Sequence, residues 1–215
     1  MKKLLNLQYK NLLLCKKTLI FYLIFAIIGP LFVFQQAKSL SSNFLPFFMA
    51  AMFVTYLIYQ DMSTAEYKYK GTAYLSTTPY SRNFLVISEY IFVFAMFLFC
   101  LLIHSAISFF TPEMLKFVSF NTLCVSLLCF SCLFSLLIPL KIKFGILKLR
   151  IIFCALVIAI PYVIPLLLKD TNLLNFELLQ TIPFWIFDLI FVGISLVVVP
   201  ISIFVSIKIF AKKDL

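Results

Sequence analysis

Charged residues are scarce in this chain, and so are glycine, histidine and tryptophan. Of 215 residues only 12% are charged, and the chain has four glycines, one histidine and one tryptophan. A soluble domain usually has about 25% charged and 45–50% apolar residues, whereas 64% of this chain is apolar. A soluble fold of this length buries only about 70% of its surface. The composition therefore excludes most soluble enzyme folds, a secreted disulfide scaffold and a disordered tail, and it predicts a chain embedded in a lipid bilayer.

The sequence also lacks the motifs of common catalytic sites. It has no GxSxG or HExxH motif, and no glycine begins a loop followed by Lys and Ser or Thr, which is how P-loop proteins bind ATP. The six cysteines lie in or beside apolar runs, and the lone CxxC pair at Cys129 and Cys132 is a poor metal site. We therefore expect no catalytic site, no metal site and no cofactor in this chain. A function that needs ATP and Mg²⁺ would take them from a partner subunit.

Long apolar runs divide the chain into six candidate membrane spans. A helix needs about 20 apolar residues to cross the hydrocarbon core, and these runs are too long and too uniformly apolar for barrel strands. The predicted fold is an all-α integral membrane protein with six transmembrane helices in a single domain, residues 1–215. The spans are 18–34, 44–59, 84–110, 117–140, 151–168 and 184–207.

The positive charges predict the orientation, because cytoplasmic loops collect Lys and Arg. With the N-terminus inside, fifteen of the 18 Lys and Arg residues lie on the cytoplasmic side, and only Lys38, Lys116 and Lys169 lie outside. We therefore predict that both termini are cytoplasmic. Residues 1–17 alternate leucines with lysines, which predicts an amphipathic helix in the cytoplasmic interface before the first span. The net charge of +10 thus indicates a membrane partner and no nucleic acid.

The segment 60–83 is the longest and most polar connection on the predicted inner face. Long connections in compact proteins tend to be functional. We therefore predict that a soluble partner docks on this segment.

Three ionisable side chains fall inside the predicted spans: Glu89, His104 and Asp188. A charge at mid-bilayer costs roughly 2.5–3.5 kcal/mol on insertion scales, so each is a functional candidate. Two interpretations stay open. In one, Glu89 reaches headgroups or a basic partner, and His104 pairs with Asp188. In the other, the three line a pathway for a substrate.

Two sequence blocks resemble those of a known family. The first reads TTPYSRNFLVISEY at 77–90, and the second reads PLKIKFGILKLR at 139–150. Together with the six-span layout, they resemble small bacterial ABC transporter permeases of the ABC-2 type over essentially the whole chain. Thr77 and Thr78 stand where the family usually has Ser-Leu, and Glu89 stands where it usually has Lys.

The resemblance implies a permease subunit of an ATP-driven exporter in the bacterial plasma membrane. Two permease chains, identical or different, form the membrane unit, and each engages a separate cytoplasmic ABC ATPase that holds ATP and Mg²⁺. Relatives of this size often export amphipathic or antimicrobial peptides, among them phenol-soluble modulins, or confer resistance to them, so the implied cargo is such a peptide or a similar hydrophobic substrate.

The resemblance also maps a coupling helix, the element that docks on the ATPase, to residues 60–80 and chiefly to 64–76, with the loop 141–150 beside it. The coupling residues that it implies are Thr64, Glu66, Tyr67, Lys68, Tyr69, Lys70, Tyr74, Pro79, Ser81 and Arg82. Those in the second inside loop are Lys143, Gly145, Lys148 and Arg150.

Two other functions fit the residues. An ion-coupled secondary carrier would use Glu89, His104 and Asp188, although the internal repeat that such folds usually show is not found. A non-transporting membrane scaffold or immunity protein would bind its partner through 60–83. Co-purification of an ATPase separates the permease from both.

Overall fold

The chain forms seven α-helices in the part that the computed structural model describes, which is residues 2–36, 44–69, 71, 82–111, 117–169 and 184–212. The regular structure of these residues is all helical, as predicted. The helices are α1 (Lys2–Leu14), α2 (Lys16–Gln36), α3 (Phe44–Lys68), α4 (Arg82–Phe110), α5 (Phe120–Phe144), α6 (Ile146–Lys169) and α7 (Phe184–Ala211).

Four helical segments among these residues are long and apolar enough to cross a membrane. They lie in the first, third, fourth and sixth predicted spans, and they are Lys16–Val33, Asn83–Phe110, Phe120–Phe144 and Trp185–Ala211. The chain is therefore a multi-pass helical membrane protein. The six-span layout and the cytoplasmic position of both termini stay predictions.

Helix α3 lies at the centre of the bundle and packs against α2, α4 and α6. It carries polar side chains that the other helices bury, among them Thr55, Gln60 and Ser63. A buried hydroxyl on a helix surrounded by protein, unlike one facing lipid, can reach a hydrogen-bonding partner on another helix. One example is Tyr56, whose hydroxyl donates a hydrogen bond to the Arg150 carbonyl at 2.7 Å. Helices α2, α4 and α7 expose large apolar side chains that suit a lipid surface.

Helices α5 and α7 share the most extensive helix–helix contact of the described bundle. Small side chains let helix backbones approach closely, which suits association inside a membrane. The Ser202 hydroxyl of α7 donates a hydrogen bond to the Ser135 carbonyl of α5 at 2.5 Å. Both helices carry buried serines, which are Ser126, Ser131, Ser135, Ser195, Ser202 and Ser206.

Two predicted boundaries near the N-terminus and at the first inside loop are wrong. The N-terminal helix ends at Leu14, because the chain turns at Cys15 and residues 16 and 17 already belong to α2. The segment 60–83, predicted as a loop, is helical up to Lys68. Its first residues continue α3 because Met62, Ser63 and Glu66 are buried against neighbouring helices.

The prediction of a loop at 141–150 is also wrong, because the single residue Gly145 separates α5 from α6. Its N–H still donates to the Lys141 carbonyl at 2.8 Å, and its φ of 83° and ψ of 152° turn the chain. This backbone conformation is essentially restricted to glycine. The exposed side chains of Lys143, Lys148 and Arg150 therefore stand on the two helices beside the turn.

Candidate functional site

Four charged side chains from four helices meet in one network at the end of the bundle where α3 ends and α4 begins. Lys10 Nζ of α1 lies 2.5 Å from Glu66 Oε1 of α3. Lys141 Nζ of α5 lies 3.6 Å from Glu66 Oε2 and 2.9 Å from Glu89 Oε2 of α4. The Tyr59 hydroxyl donates a second hydrogen bond to Glu89 Oε2 at 2.7 Å. Positive and negative groups alternate, so the network carries no net charge.

Lys141 is the central member of this network. Its side chain is only 11% exposed, and a buried ion costs several kcal/mol unless charges and hydrogen bonds compensate for the lost water. Two carboxylates compensate it, and its ammonium also lies 4.9 Å from the centre of the Tyr59 ring, which adds a cation–π attraction. Lys141 therefore holds α3, α4 and α5 together.

Glu66 lies about two turns beyond the predicted span 44–59. Burial raises the pKa of its carboxyl, but the ammonium groups of Lys141 and Lys10 outweigh burial and hold the pKa below its usual value. Glu66 is therefore ionised at neutral pH and keeps both lysines paired.

A cavity of about 110 Å³ borders the network. The four charged residues line it together with Ser63. Glu66 Oε2 and Ser63 Oγ are both buried there without a hydrogen-bonding partner, since Lys141 at 3.6 Å from Glu66 Oε2 is beyond hydrogen-bonding distance. The cavity therefore presents polar atoms that can still accept a hydrogen bond.

The cavity lies between the two predicted coupling segments, because Tyr67 from the end of α3 and Gly145 both line it. Tyr67, Lys68 and Tyr69 are exposed, and the Lys68 ammonium stands 5.7 Å from the centre of the Tyr69 ring. Of these three, Tyr67 lines the cavity, and Lys143, Lys148 and Arg150 are exposed on α5 and α6 on either side of Gly145. We call these six residues the basic-aromatic surface.

Two predicted coupling residues of α3 do not belong to the basic-aromatic surface. Glu66 is buried and pairs with lysines inside the bundle, and Thr64 is half-buried and donates a hydrogen bond to the Gln60 carbonyl at 2.8 Å. The structure thus places Glu66 inside the bundle, and its role as a coupling residue stays a prediction. Arg82 is the first residue of α4. The remaining members lie outside the described residues, and they are Lys70, Tyr74, Pro79 and Ser81.

The three predicted pathway residues do not form one site. His104 follows Glu89 by 15 residues on α4, which is about 22 Å along a helix. The His104 ring packs edge-on against Phe47 with ring centres 5.3 Å apart. Asp188 accepts a hydrogen bond from the Asn121 amide at 2.9 Å. Neither hydrogen bond nor ion pair joins His104 to Asp188 in the described part of the chain, so the expected pair is wrong, whereas Glu89 has the basic partner that one interpretation required.

Sequence reasoning missed Lys10, Tyr59 and Lys141 as members of the network. Lys10 was assigned to the lipid interface with the other N-terminal lysines, but the buried side of α1 carries Leu7 and Asn11. Residues three and four apart share a helix face, so the spacing of Lys10 from Leu7 was the available signal. Lys141 belongs to the second sequence block, but nothing in that block showed which acid it meets.

Tyr90 makes a second interhelical connection next to Glu89. Its hydroxyl lies 2.6 Å from Ser202 Oγ and 2.9 Å from Ser206 Oγ on α7. Because the Ser202 proton goes to the Ser135 carbonyl, Tyr90 donates to Ser202 and accepts from Ser206. The α4 residues 89 and 90 thus contact the core from two sides.

Among the described residues, no group of three His, Cys, Asp or Glu side chains is placed to hold a metal ion. The fold and the network together define a multi-pass helical membrane protein whose described helices form their ion pairs at one end. The sequence model of the family described as ABC-2 family transporter protein matches residues 6–211. The chain therefore belongs to the ABC-2 family of transporter proteins, and the family predicted from the two sequence blocks is confirmed.

Family membership makes the chain an ABC transporter permease, the membrane subunit whose family implies a separate ABC ATPase as partner. Comparison with curated proteins and with solved structures finds no match.

Proposed function

We propose that this chain is the permease subunit of an ATP-driven exporter in the bacterial plasma membrane. In this proposal it has six spans with both termini in the cytoplasm, and it pairs with a second permease chain, identical or different. The observation that carries the proposal is the meeting of the two predicted coupling segments around Lys141, in a chain of the ABC-2 family. Family membership also favours a permease over the ion-coupled carrier.

The basic-aromatic surface is the proposed ATPase docking site. Exposed tyrosines beside lysine and arginine suit a protein interface, because such residues bury large areas and form charged contacts. The surface stands at the ends of α3 and α5 and at the start of α6, and α3 and α5 also supply Glu66 and Lys141. A push on the surface therefore reaches charged residues that are bonded to two further helices.

The charge network is the proposed route by which that push enters the membrane. Glu66 connects α3 to α1 through Lys10, and Lys141 connects α5 to α4 through Glu89. Ion pairs with little exposure resist separation because each ion would lose its compensation. Closure of two ATPases would thus move α3, α4 and α5 together, whereas α1 joins them through the more exposed Lys10.

The proposed cargo is an amphipathic or antimicrobial peptide, or a similar hydrophobic molecule, that approaches through the lipid. The exposed apolar faces of α2, α4 and α7 support lateral approach, because a molecule dissolved in the leaflet meets them directly.

Affinity purification of the tagged chain from its native membranes tests the proposal. We expect a P-loop ATPase to co-purify and the eluate to hydrolyse ATP. The triple variant Tyr67→Ala, Lys68→Glu, Tyr69→Ala should lose the ATPase while it still inserts in the membrane. A matched triple variant at another exposed aromatic site, Phe109→Ala, Phe110→Ala, Phe117→Ala, should keep it, since those residues lie far along the chain from the surface.

Two results would contradict the proposal. Absence of any ATPase from the wild-type eluate would remove the exporter function. Retention of the ATPase by the Tyr67, Lys68 and Tyr69 variant would move the docking site elsewhere.

A further inference from the structure

One carboxylate oxygen of Glu66 accepts no hydrogen bond, although the Lys141 ammonium lies 3.6 Å away. The residue is 7% exposed, its Oε1 accepts from Lys10, and its Oε2 has no hydrogen bond. Leaving a buried charged acceptor unsatisfied is costly. Ser63 Oγ, which is 1% exposed and also without a hydrogen bond, lines the same cavity. Two buried polar atoms in one cavity indicate a site for a hydrogen-bond donor.

The cavity has the size and lining for an alkylammonium group. Its volume of about 110 Å³ is well above the roughly 10–15 Å³ that a single water requires. Apolar side chains of Leu85, Val86 and Ile142 cover part of the wall, and the polar atoms of Ser63 and Glu66 form another part. A lysine side chain combines an apolar stem with a charged end, so this division of the wall matches it.

The residue that pairs with Glu66 Oε1 is itself a lysine on an amphipathic helix. Lys10 belongs to α1, whose sequence is KKLLNLQYKNLLL. Helix α1 buries Leu7 and Asn11 against the bundle, and its Gln8 amide donates to the Ser88 carbonyl at 2.9 Å. The structure thus shows what kind of ligand this part of the bundle accepts.

Lys10 is the exchangeable ion of the network. Its side chain is 29% exposed, against 11% for Lys141, and in the described part of the chain its ion pairing is to Glu66 alone. A third cation would give the neutral network a net positive charge, and departure of Lys10 alone would leave it negative. Replacement of one ammonium by another keeps it neutral, so exchange is the favourable route.

We propose that Glu66, Ser63 and the adjoining cavity form a subsite for a lysine ammonium of an amphipathic helical peptide, and that Lys10 of α1, which pairs with Glu66 Oε1, competes for Glu66 as an intramolecular ligand. This inference rests on the proposed function, because it names the feature by which the exporter recognises its cargo. Helix α1 then acts as an internal competitor, which cargo displaces at Glu66.

A peptide lysine suits the subsite better than the ammonium of a phosphatidylethanolamine headgroup. The headgroup carries its phosphate two carbons from the nitrogen, so entry would bring an anion close to Glu66 and Glu89, and like charges repel. The lysine stem is four apolar methylenes, which the wall at Leu85, Val86 and Ile142 can cover.

The test uses the full chain in nanodiscs of phosphatidylcholine and phosphatidylglycerol. The probe is a fluorescein-labelled peptide with the sequence of residues 2–14, made with the lysine at the position of Lys10 either free or acetylated. Binding is measured by fluorescence anisotropy. The proteins are wild type, Lys10→Gln, Lys10→Gln with Glu66→Gln, Lys10→Gln with Ser63→Ala, and the control Lys17→Gln, which removes an exposed lysine.

We expect the free-lysine peptide to bind Lys10→Gln roughly tenfold more tightly than wild type, in line with one hydrogen bond to a charged group. The acetylated peptide should not distinguish the two proteins, and Glu66→Gln should abolish the gain. Ser63→Ala removes a hydroxyl that makes no hydrogen bond, so the fold should persist while the gain falls several-fold. Lys17→Gln should behave as wild type.

Three results would overturn the inference. Equal gains in affinity for the free and acetylated peptides would show that the site does not recognise the ammonium. An equal gain with Lys17→Gln would show a general charge effect. Loss of peptide binding to Lys10→Gln when phosphatidylethanolamine is added would assign the subsite to lipid. ATPase co-purification from the same preparations distinguishes this failure from failure of the exporter function, because either result can occur without the other.

Discussion

Lys141 Nζ stands 2.9 Å from Glu89 Oε2 and thereby joins the two sequence blocks, 77–90 and 139–150, that resemble the ABC-2 family. The family pattern usually has a lysine where this chain has Glu89. A lysine there would place a second ammonium beside Lys141, whereas the glutamate forms an ion pair. The departure from the family pattern is therefore accommodated by an attractive contact between α4 and α5.

Replacement of Lys141 by methionine should strongly destabilise the bundle. The variant keeps most of the length of the side chain but leaves Glu66 and Glu89 without their shared cation. Removal of one partner from a buried ion pair costs about 3–5 kcal/mol, so we expect Lys141→Met to unfold at much lower denaturant concentration in mixed micelles. Lys143→Met, at an exposed neighbouring position, should change the free energy of unfolding by less than about 1 kcal/mol. Equal stability of the two variants would contradict the central role of Lys141.

The lowered pKa of the Glu66 carboxyl predicts that the protein loses stability in acid. Because its pKa is held below the usual value of 4.5, its ion pairs contribute fully above that pH, and the contribution disappears as the pH falls through the lowered pKa. Wild type should therefore lose stability relative to Glu66→Gln as the pH falls below about 4.5, and the difference between them should be constant from there to pH 7. Thermal unfolding in nanodiscs across this range measures it. If the stabilities of wild type and Glu66→Gln changed in parallel over the whole pH range, Glu66 would not be an ionised, paired residue.

Alanine substitutions at two glycines distinguish the cost of backbone strain from the cost of fitting a side chain. An added Cβ meets nothing within 4 Å at either Gly145 or Gly193, but only Gly145 has a positive φ, at 83°. Gly145→Ala should therefore cost about 1–3 kcal/mol of stability through strain. Gly193→Ala, inside α7, should be neutral or stabilise the protein by up to about 1 kcal/mol, because alanine favours the helix. The free energies of unfolding of both variants check this prediction, and equal effects would refute the strain argument.

Removal of the Tyr90 hydroxyl should loosen the contact of α4 with α7. Tyr90→Phe loses the hydrogen bonds to Ser202 and Ser206, and each such bond contributes about 0.5–1.5 kcal/mol net. We expect a loss of about 1–3 kcal/mol. Tyr67→Phe, at an exposed site, is the control and should leave stability unchanged. A Tyr90→Phe protein as stable as the control would mean that the serines find other partners.

Cysteine labelling tests the predicted orientation. Lys68 is exposed at the C-terminal end of α3, two residues after Glu66 of the network. Phe110 is exposed at the C-terminal end of α4, six residues after His104. In intact cells, a membrane-impermeant maleimide should label Phe110→Cys but label Lys68→Cys only after the membrane is opened. The native cysteines are buried or half-buried, so the wild-type chain gives the background. Labelling of Lys68→Cys from outside would place the basic-aromatic surface away from a cytoplasmic ATPase.

Hydropathy and charge predicted the helical membrane class, and the order of the motifs predicted the family. They failed at positions where tertiary contacts decide. Residues 60–68 look like the start of a polar loop, but Ser63 and Glu66 are buried and the helix continues. The segment 141–150 looks like a basic loop, yet a single glycine turn separates two helices. Local polarity marks the end of the apolar run, and it does not mark the end of the helix.

By itself the sequence determined that this chain lives in a bilayer as a bundle of helices, because so much apolar surface can be satisfied only by lipid or by other apolar groups. It also held both blocks of the family pattern. Only the tertiary structure decided that Lys10, Glu66, Glu89 and Lys141 meet, since they come from four helices and are separated by up to 131 positions, from residue 10 to residue 141. Burial makes such ions costly when alone and stable when paired, and which ion meets which depends on how the helices pack.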